Sequence, residues 1–98
     1  MIFKKHISPD GIIIALCDND LLGKKIETEK LQLDLTSNFY AGEEKSEEDI
    51  ISEIRKCYII NACGKKTIDF LRKQDLIEEG NIIFVGDVPH AQIALFRG

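Results

Sequence analysis

The sequence has no tryptophan, one methionine and two prolines, and it has no apolar run of membrane-spanning length. Its longest uninterrupted apolar run is Ile12 to Cys17, far short of the roughly 20 residues that a membrane helix requires. No charged and then apolar leader precedes a small-residue cleavage site. These absences predict a cytoplasmic protein without a membrane segment.

Disulfide and metal-binding patterns are also lacking. The three cysteines, Cys17, Cys57 and Cys63, are odd in number, lie in apolar surroundings and form no Cys-x-x-Cys pair. His6 falls in an N-terminal strand pattern, away from any cysteine cluster. The sequence therefore predicts buried, reduced thiols, no metal site and no cofactor.

The composition is that of a packed domain. A chain of 98 residues with 44% hydrophobic and 31% charged residues predicts one domain over residues 1–98 with one core. Because so small a core leaves a thin stability margin, a homodimer is one way for the chain to cover more apolar area. The net charge of -4 argues against broad, nonspecific binding to nucleic acid.

The charge is segregated along the chain. Residues 43–53 hold six acidic residues against one lysine, whereas residues 54–74 hold six basic residues against one aspartate. The acidic group coincides with a predicted helix start at Ser46, whose first turn favours negative charge. Helix electrostatics therefore explain most of the segregation, and the basic stretch is a candidate contact for phosphate.

The pattern of apolar residues predicts the fold. Residues 1–7 and 11–17 form a hairpin around a Ser-Pro-Asp-Gly turn, Asp18 caps a short helical turn, and Leu31, Leu33 and Leu35 alternate as in a half-buried strand. Two helices, one starting at Ser46 and one over residues 64–74, form a hairpin broken near residues 61–64.

Two strands follow, over residues 82–85 and 91–96, and the first of them needs cover on both faces. The predicted class is α/β (α+β), with a mixed or antiparallel sheet of about five strands and a helical hairpin packed on one side.

Three glycine-marked or proline-marked segments fall in predicted loops, where binding residues concentrate. They are residues 37–43, 61–66 and 86–92. Within them, Phe39-Tyr40-Ala41-Gly42, Asn61-Ala62-Cys63-Gly64 and Val88-Pro89-His90-Ala91-Gln92 resemble the archaeal family catalogued as domain of unknown function 424. The resemblance covers nearly the whole chain and implies an archaeal, cytoplasmic protein, with no activity to carry over.

The middle segment has two interpretations. Gly64, Lys65, Lys66 and Thr67 at a helix start are similar to the end of a phosphate-binding loop, although the glycine and hydroxyl positions of the full motif are not met. Alternatively, Gly64 only permits a turn and the lysines are solvated. In both cases we expect a backbone conformation at Gly64 that a Cβ would disturb.

Candidate reactive groups are few. His90 could act with Asp87 or with Cys63, which precedes a helix start, or it could be structural. Phe39 and Tyr40 are adjacent, so one ring is expected in the core and the other at the surface as a base-stacking platform or as cover for the helices. No catalytic set is complete, so no catalytic residue is predicted.

Three functions follow. The first is a non-catalytic binding protein in translation or RNA handling, which contacts RNA or a ribosome-associated protein. The predicted contact residues are polar residues together with one glycine and one proline: Tyr40, Asn61, Gly64, Lys65, Lys66, Pro89, His90 and Gln92. The second is a small-molecule hydrolase or transferase that uses His90. The third is a protein-interaction adaptor whose acidic helix face meets a basic partner.

Overall fold

The computed structural model describes residues 1–95. Within them the elements follow in this order: β1 (Ile2–Ser8), β2 (Gly11–Cys17), β3 (Lys25–Glu27), β4 (Gln32–Asp34), β5 (Glu43–Glu44), α1 (Glu47–Ile54), β6 (Ile59–Cys63), α2 (Lys65–Lys73), β7 (Ile83–Val85) and β8 (Val88–Ala94). Short 3-10 turns lie at Asn19–Leu21 and Glu79–Asn81.

The main sheet has six strands in the order β5-β1-β2-β6-β8-β7, and β3 pairs with β4 in a separate two-stranded sheet. Strands β2 and β6 run parallel, and the other neighbours in the main sheet are antiparallel. The predicted α+β class with a mixed sheet is therefore confirmed, with six strands where about five were predicted.

The N-terminal hairpin forms as predicted. Ile7 pairs with Ile12 and Ser8 with Gly11, so that Pro9 and Asp10 make the turn. The Ser8 hydroxyl donates a hydrogen bond of 2.7 Å to the Gly11 carbonyl, which holds the two strand ends together.

The predicted helical hairpin is wrong in one respect, because a strand separates the two helices. Residues 59–63 form β6, which lies between β2 and β8 in the middle of the sheet. Ile60 and Ala62 are fully buried under the helices. Apart from Asn61 the run is apolar at every position, so it carries no period-two alternation in sequence and its pattern cannot be told from that of a helix.

Both helices do pack on the same side of the sheet. The predicted cap is confirmed at the start of α1, where the Ser46 hydroxyl accepts a hydrogen bond of 3.2 Å from the Asp49 amide. The helices and the sheet share one aliphatic core, the helix-side core, built around these buried residues: Phe3, Ile14, Leu16, Ile50, Ile54, Cys57, Ile60, Ala62, Ile68, Phe70, Leu71, Ala91 and Ile93.

The opposite side of the sheet is covered by residues 21–40, which include the β3-β4 pair. As predicted, Leu33 and Leu35 are buried, whereas Leu31 is exposed. They belong to a second core, the hairpin-side core, whose buried members are Ile2, Ala15, Cys17, Leu33, Leu35, Tyr40, Cys63 and Val85.

The C-terminal strands differ from the prediction at two points. Strand β8 starts at Val88, so Pro89 and His90 lie within a strand and not in a loop, and Phe96 lies outside the described residues. Strand β7 is at the edge of the sheet, where Ile83 is 54% and Phe84 57% exposed. The expected cover on both faces of β7 is thus absent within residues 1–95.

Candidate functional site

Side chains on the hairpin side of the sheet line up in rows across the strands. Because Ala62 and Ala91 point into the helix-side core, their neighbours Asn61 and Gln92 point to the opposite side. Asn61 and Gln92 are also direct register partners on β6 and β8. Directly opposed residues in an antiparallel pair have Cβ atoms about 4.5–5.5 Å apart, so the two amide groups are neighbours.

The hairpin-side core reaches the row of Asn61 and Gln92 only at Ala15, and Phe39 covers His6 in the next row towards the strand ends. The register connects Lys4, Ala15, Asn61 and Gln92 in one row. It connects His6, Ile13, Ile59 and Ala94 in the other. All but the buried Ala15 are half-buried or exposed, and we call these seven residues the open face: Lys4, His6, Ile13, Ile59, Asn61, Gln92 and Ala94.

The amide groups of the open face are available to a ligand. Among the described residues, no side-chain hydrogen bond is formed by Asn61 or by Gln92, and Gln92 is exposed. An amide side chain offers one acceptor and two donors. These two groups lie beside the row of Ile13, Ile59 and Ala94, so the open face combines amide and apolar side chains.

An aromatic stack borders the open face on β1. The His6 and Phe39 rings are parallel within 7°, with centroids 4.6 Å apart, and His6 Nε2 donates to the Phe39 carbonyl oxygen at 2.9 Å. Phe39 is half-buried, whereas Tyr40 is only 6% exposed. The prediction that one ring of this pair is buried and the other lies at the surface is confirmed, and Phe39 is the surface ring.

Tyr40 serves the interior. Its hydroxyl accepts a hydrogen bond of 3.1 Å from the Cys63 thiol, and Phe39 packs edge-on against its ring. Burial, followed by the neighbouring Cys63, raises the pKa of the Tyr40 hydroxyl. A buried, neutral tyrosine cannot be a surface contact, so Tyr40 contributes to packing in the hairpin-side core and not to direct binding.

The cysteine and histidine proposed as reactive groups are neighbours without an activating environment. Cys63 is the register partner of His90, but its side chain is fully buried, and burial raises the pKa of its thiol to about 12. Burial lowers the pKa of His90, and no described side chain orients its ring by a hydrogen bond. A protonated thiol beside a neutral imidazole is unsuited to nucleophilic catalysis.

The start of α2 already holds an anion, and that anion is Asp18. Its Oδ1 accepts from the Thr67 amide and hydroxyl, both at 2.8 Å, and its Oδ2 accepts from the Lys66 amide at 3.1 Å. Asp18 was predicted to cap the adjacent 3-10 turn, where it makes no side-chain cap. It instead supplies the cap that Gly64 cannot provide, and these amide groups are not open to a phosphate.

Gly64 makes this arrangement possible. Its φ of 109° lies in the region that favours glycine, and a Cβ there would come within 2.3 Å of the Asp18 carboxyl carbon. The conformational requirement predicted for Gly64 is confirmed. The chain turns at this point from a strand into a helix, and not from one helix into another.

Lys65, Lys66 and Pro89 line a groove of about 300 Å³ beside this junction. The predicted segments meet here, because the Gly64 amide donates to the Pro89 carbonyl at 2.9 Å. Three aspartates line the same groove: Asp18, Asp20 and Asp87. The groove is therefore of mixed charge, and Lys65 and Lys66 are exposed at its rim.

The basic stretch of residues 54–74 does not form one surface. It runs through the end of α1, the buried β6 and the whole of α2. The Arg72 guanidinium forms salt bridges with Asp69, at 2.6 Å, and with Glu79, at 2.8 Å. A second groove, of about 700 Å³, lies between the starts of α1 and α2 and also mixes acids with lysines. Both grooves thus mix acidic and basic side chains.

The candidate residues divide between two surfaces, and the row of Cys17 and Cys63, which belongs to the hairpin-side core, lies between them. Asn61 and Gln92 lie on the open face, with the half-buried His90 one row further along β8, while Gly64, Lys65, Lys66 and Pro89 belong to the groove at the strand ends. Sequence reasoning missed His6 and Lys4 on the open face. The alternation of β1 contained that signal, because both share a strand face with the buried Ile2.

Residues 1–95 contain no helix that is long and apolar enough to cross a membrane and no group of three or more potential metal ligands. The family described as "Protein of unknown function (DUF424)" matches residues 6–96, which confirms the resemblance seen in the sequence. No curated protein matches the chain.

A similar solved structure is that of an uncharacterised conserved protein from Methanopyrus kandleri. It is 28% identical, with a TM-score of 0.77, and the alignment covers 99% of this chain and 94% of that one.

Proposed function

The chain belongs to the DUF424 family, and from that premise we propose that it is a non-catalytic protein that binds single-stranded RNA across the open face, in translation or RNA handling in the cytoplasm. The observation that carries this proposal is the pair of unpartnered amides, Asn61 and Gln92, side by side on an uncovered sheet face. Amide side chains present donors and acceptors that match the edges of unpaired bases.

The surroundings of the amide pair suit an unpaired base. The apolar side chains of Ile13, Ile59 and Ala94 offer a floor on which a base can lie, and the His6–Phe39 stack supplies aromatic surface at one border. Sheet faces that carry aromatic and amide side chains bind splayed-out bases, whereas duplex RNA hides those edges in its grooves. The proposal therefore specifies single strands.

Phosphate contacts contribute little in this arrangement. Lys4 lies on the open face, and Lys65 and Lys66 lie at the rim of the groove at the strand ends. If all three contacted phosphate, the log-log salt dependence of binding would have a slope of about 2, because each contact to a single strand contributes roughly 0.7. With a net charge of -4, affinity must come mainly from base contacts.

The test measures binding of fluorescently labelled single-stranded RNA by anisotropy. Asn61→Ala or Gln92→Ala should weaken binding about tenfold or more, since hydrogen bonds to a base edge are worth about 1–3 kcal/mol. Gln74→Ala is the matched control, because Gln74 is the amide residue at the C-terminal cap of α2. Changing Lys65 and Lys66 together to Glu should reduce the salt slope by about 1.4.

The outcomes separate cleanly. The proposal is wrong if wild-type protein binds duplex and single-stranded RNA equally, or if the two amide variants bind like the wild type. It is also wrong if Gln74→Ala weakens binding as much as they do. Unfolding curves of each variant show whether a loss of affinity reflects the surface and not the fold.

A further inference from the structure

His90 lies on the same side of the sheet as the amide pair. It precedes Gln92 by two residues on β8, so both side chains point to the hairpin side. Its register partner on β6 is Cys63, which is two residues from Asn61. Diagonal neighbours of this kind lie about 7–8 Å apart, within the reach of aromatic and long side chains. His90, Asn61 and Gln92 therefore form one group, which we call the polar triangle.

The ring nitrogens of His90 are accessible from solvent. The residue is half-buried, and its ring forms no hydrogen bond with a described residue. Among the described residues, no side chain holds a buried nitrogen or oxygen that lacks a partner. Because neither ring nitrogen has a partner, both must reach the surface. Burial lowers the pKa of His90, so at neutral pH the ring offers one N–H donor and one acceptor.

The polar triangle has apolar and uncharged neighbours on its own strands. On the hairpin side of β6 (59–63), β7 (83–85) and β8 (88–94), the remaining polar side chain is that of Cys63, whose thiol donates to Tyr40. Ile83 is opposite His90 on β7 and is 54% exposed. No charged side chain lies on this side of these three strands. The triangle is thus a neutral hydrogen-bonding surface with apolar borders.

Purines and pyrimidines differ in the number of polar edges that they present. An unpaired adenine has N1 and N6 on its Watson–Crick edge and N6 and N7 on the adjoining Hoogsteen edge. A pyrimidine has no ring nitrogen in the position of N7, because carbon occupies that side of its ring. Since the polar triangle places a histidine beside an amide pair, its three groups match a base with two polar edges.

Given the proposed binding of single-stranded RNA at this site, we propose that His90 gives the open face a preference for purines. The imidazole N–H donates a hydrogen bond to N7 of the base, while Asn61 and Gln92 contact its Watson–Crick edge. In adenine an amide accepts from N6 and donates to N1. Uracil and cytosine lack N7 and lose the contact with His90. Guanine retains N7, so the discrimination is between purines and pyrimidines.

Replacement of N7 by a C–H group tests the contact directly. Oligoadenylate and oligo-7-deazaadenylate, fluorescently labelled and about ten nucleotides long, carry the same charge and the same Watson–Crick edge. Wild-type protein should bind the 7-deaza RNA about three- to tenfold more weakly in anisotropy titrations, as expected for one lost hydrogen bond. Oligouridylate should bind at least as weakly as the 7-deaza RNA. Equal affinity of the wild type for the two adenine probes overturns the role of His90.

Variants of His90 assign the discrimination to its ring nitrogens. His90→Phe keeps a ring but has no donor, so it should bind both adenine probes as weakly as the wild type binds the 7-deaza RNA. His90→Gln keeps a donor and should retain a preference for N7. Phe84→Ala is the matched control, because Phe84 is an exposed aromatic residue on the other side of the neighbouring strand β7. A His90→Phe variant that still discriminates, or a Phe84→Ala variant that does not, contradicts the proposal.

The role of His90 and the proposed function can fail separately. If Asn61→Ala weakens the binding of oligoadenylate but loss of N7 has no effect, the RNA-binding proposal stands and the role of His90 is wrong. If the wild type binds none of the probes, both are wrong. A salt slope that falls by about 0.7 in His90→Phe would indicate a phosphate contact in place of a base contact. Urea unfolding curves show whether each variant is folded.

Discussion

The two sides of the main sheet use the same strands but are closed by different layers. On one side, two helices cover a continuous aliphatic core in which Ile14, Ile60 and Leu71 are fully buried. On the other side, residues 21–40 cover part of the sheet and, apart from Phe39 on His6, leave the open face uncovered. The polar chemistry follows the same division, because the Tyr40–Cys63 contact and the unpartnered amides all lie on the hairpin side.

This difference indicates how the chain divides its tasks. The helix-side core has thirteen buried members against eight in the hairpin-side core, and all thirteen are apolar side chains or the Cys57 thiol. Apolar burial is the main source of folding free energy. The hairpin side buries fewer apolar residues, and it exposes or half-exposes the polar side chains of Lys4, Asn61 and Gln92 on the sheet. We therefore expect substitutions on the two sides to have unequal effects on stability.

The largest contrast should come from two buried leucines, one in each core. Leu71→Ala should lower the free energy of unfolding by about 2–5 kcal/mol, because the surrounding helix and sheet cannot collapse around the cavity. Leu33→Ala should cost no more than about 2 kcal/mol, since its two-stranded layer can shift towards the sheet. Urea titrations measure both values. Equal losses would mean that the two layers are equally rigid.

A pair of glycines sharpens the comparison at the junction of strand and helix. Gly64→Ala should cost about 2–4 kcal/mol, because it combines backbone strain with displacement of the Asp18 carboxylate from the start of α2. Gly23 lies in the hairpin layer, also at positive φ, but nothing lies within 4 Å of an added Cβ.

Gly23→Ala should therefore cost only the backbone part, about 1–2 kcal/mol. The same urea titrations measure the difference between the two variants, which isolates the contact with Asp18. If the two alanines were equally harmful, the tight approach of Asp18 to Gly64 would have no energetic consequence.

The contrast that is smallest at neutral pH concerns the Cys63 thiol in the hairpin-side core. Burial raises the pKa of Cys63 from an ordinary 9.0 to about 12, so between these values the unfolded chain has lost a proton that the folded chain retains. Stability must then fall as pH rises above 9, by about 1.4 kcal/mol per pH unit for this thiol.

The Cys63→Ser variant keeps a hydrogen-bond donor for Tyr40, but serine does not titrate in this pH range. The free energy of unfolding of the variant should therefore fall with pH less steeply than that of the wild type, by about 1.4 kcal/mol per pH unit. Chemical denaturation of both proteins at pH 8 to 11 provides the measurement. Parallel pH profiles would contradict the buried, protonated state of Cys63.

Local signals in the sequence predicted the elements that depend on local structure. The β1-β2 hairpin follows from its turn residues, and the start of α1 follows from Ser46 and Asp49. Strand β6 was missed because an apolar run followed by Asn and Gly resembles the end of a helix as closely as a buried strand. Pro89 suggested a loop, yet its missing amide is harmless where β6 has already ended.

The candidate site was only partly predictable for a related reason. The segments at 61–66 and 86–92 could be selected from their composition, but their contact depends on the pairing of β6 with β8. Asp18 carries no sequence signal for its distant role, because a capping acid is normally next to the helix it caps. The open face could be identified only from which rows of the sheet residues 21–40 fail to cover.

The Asp18 cap has a consequence for how the chain acquires its structure. The residues that it joins are 48 and 49 positions apart, and β2 must lie in register with β6 before the carboxylate can reach the α2 amides. Because this contact needs that pairing first, we expect α2 to gain its N-terminal cap only after the central parallel pair has formed. A fragment that starts after residue 18 would therefore contain α2 without its cap.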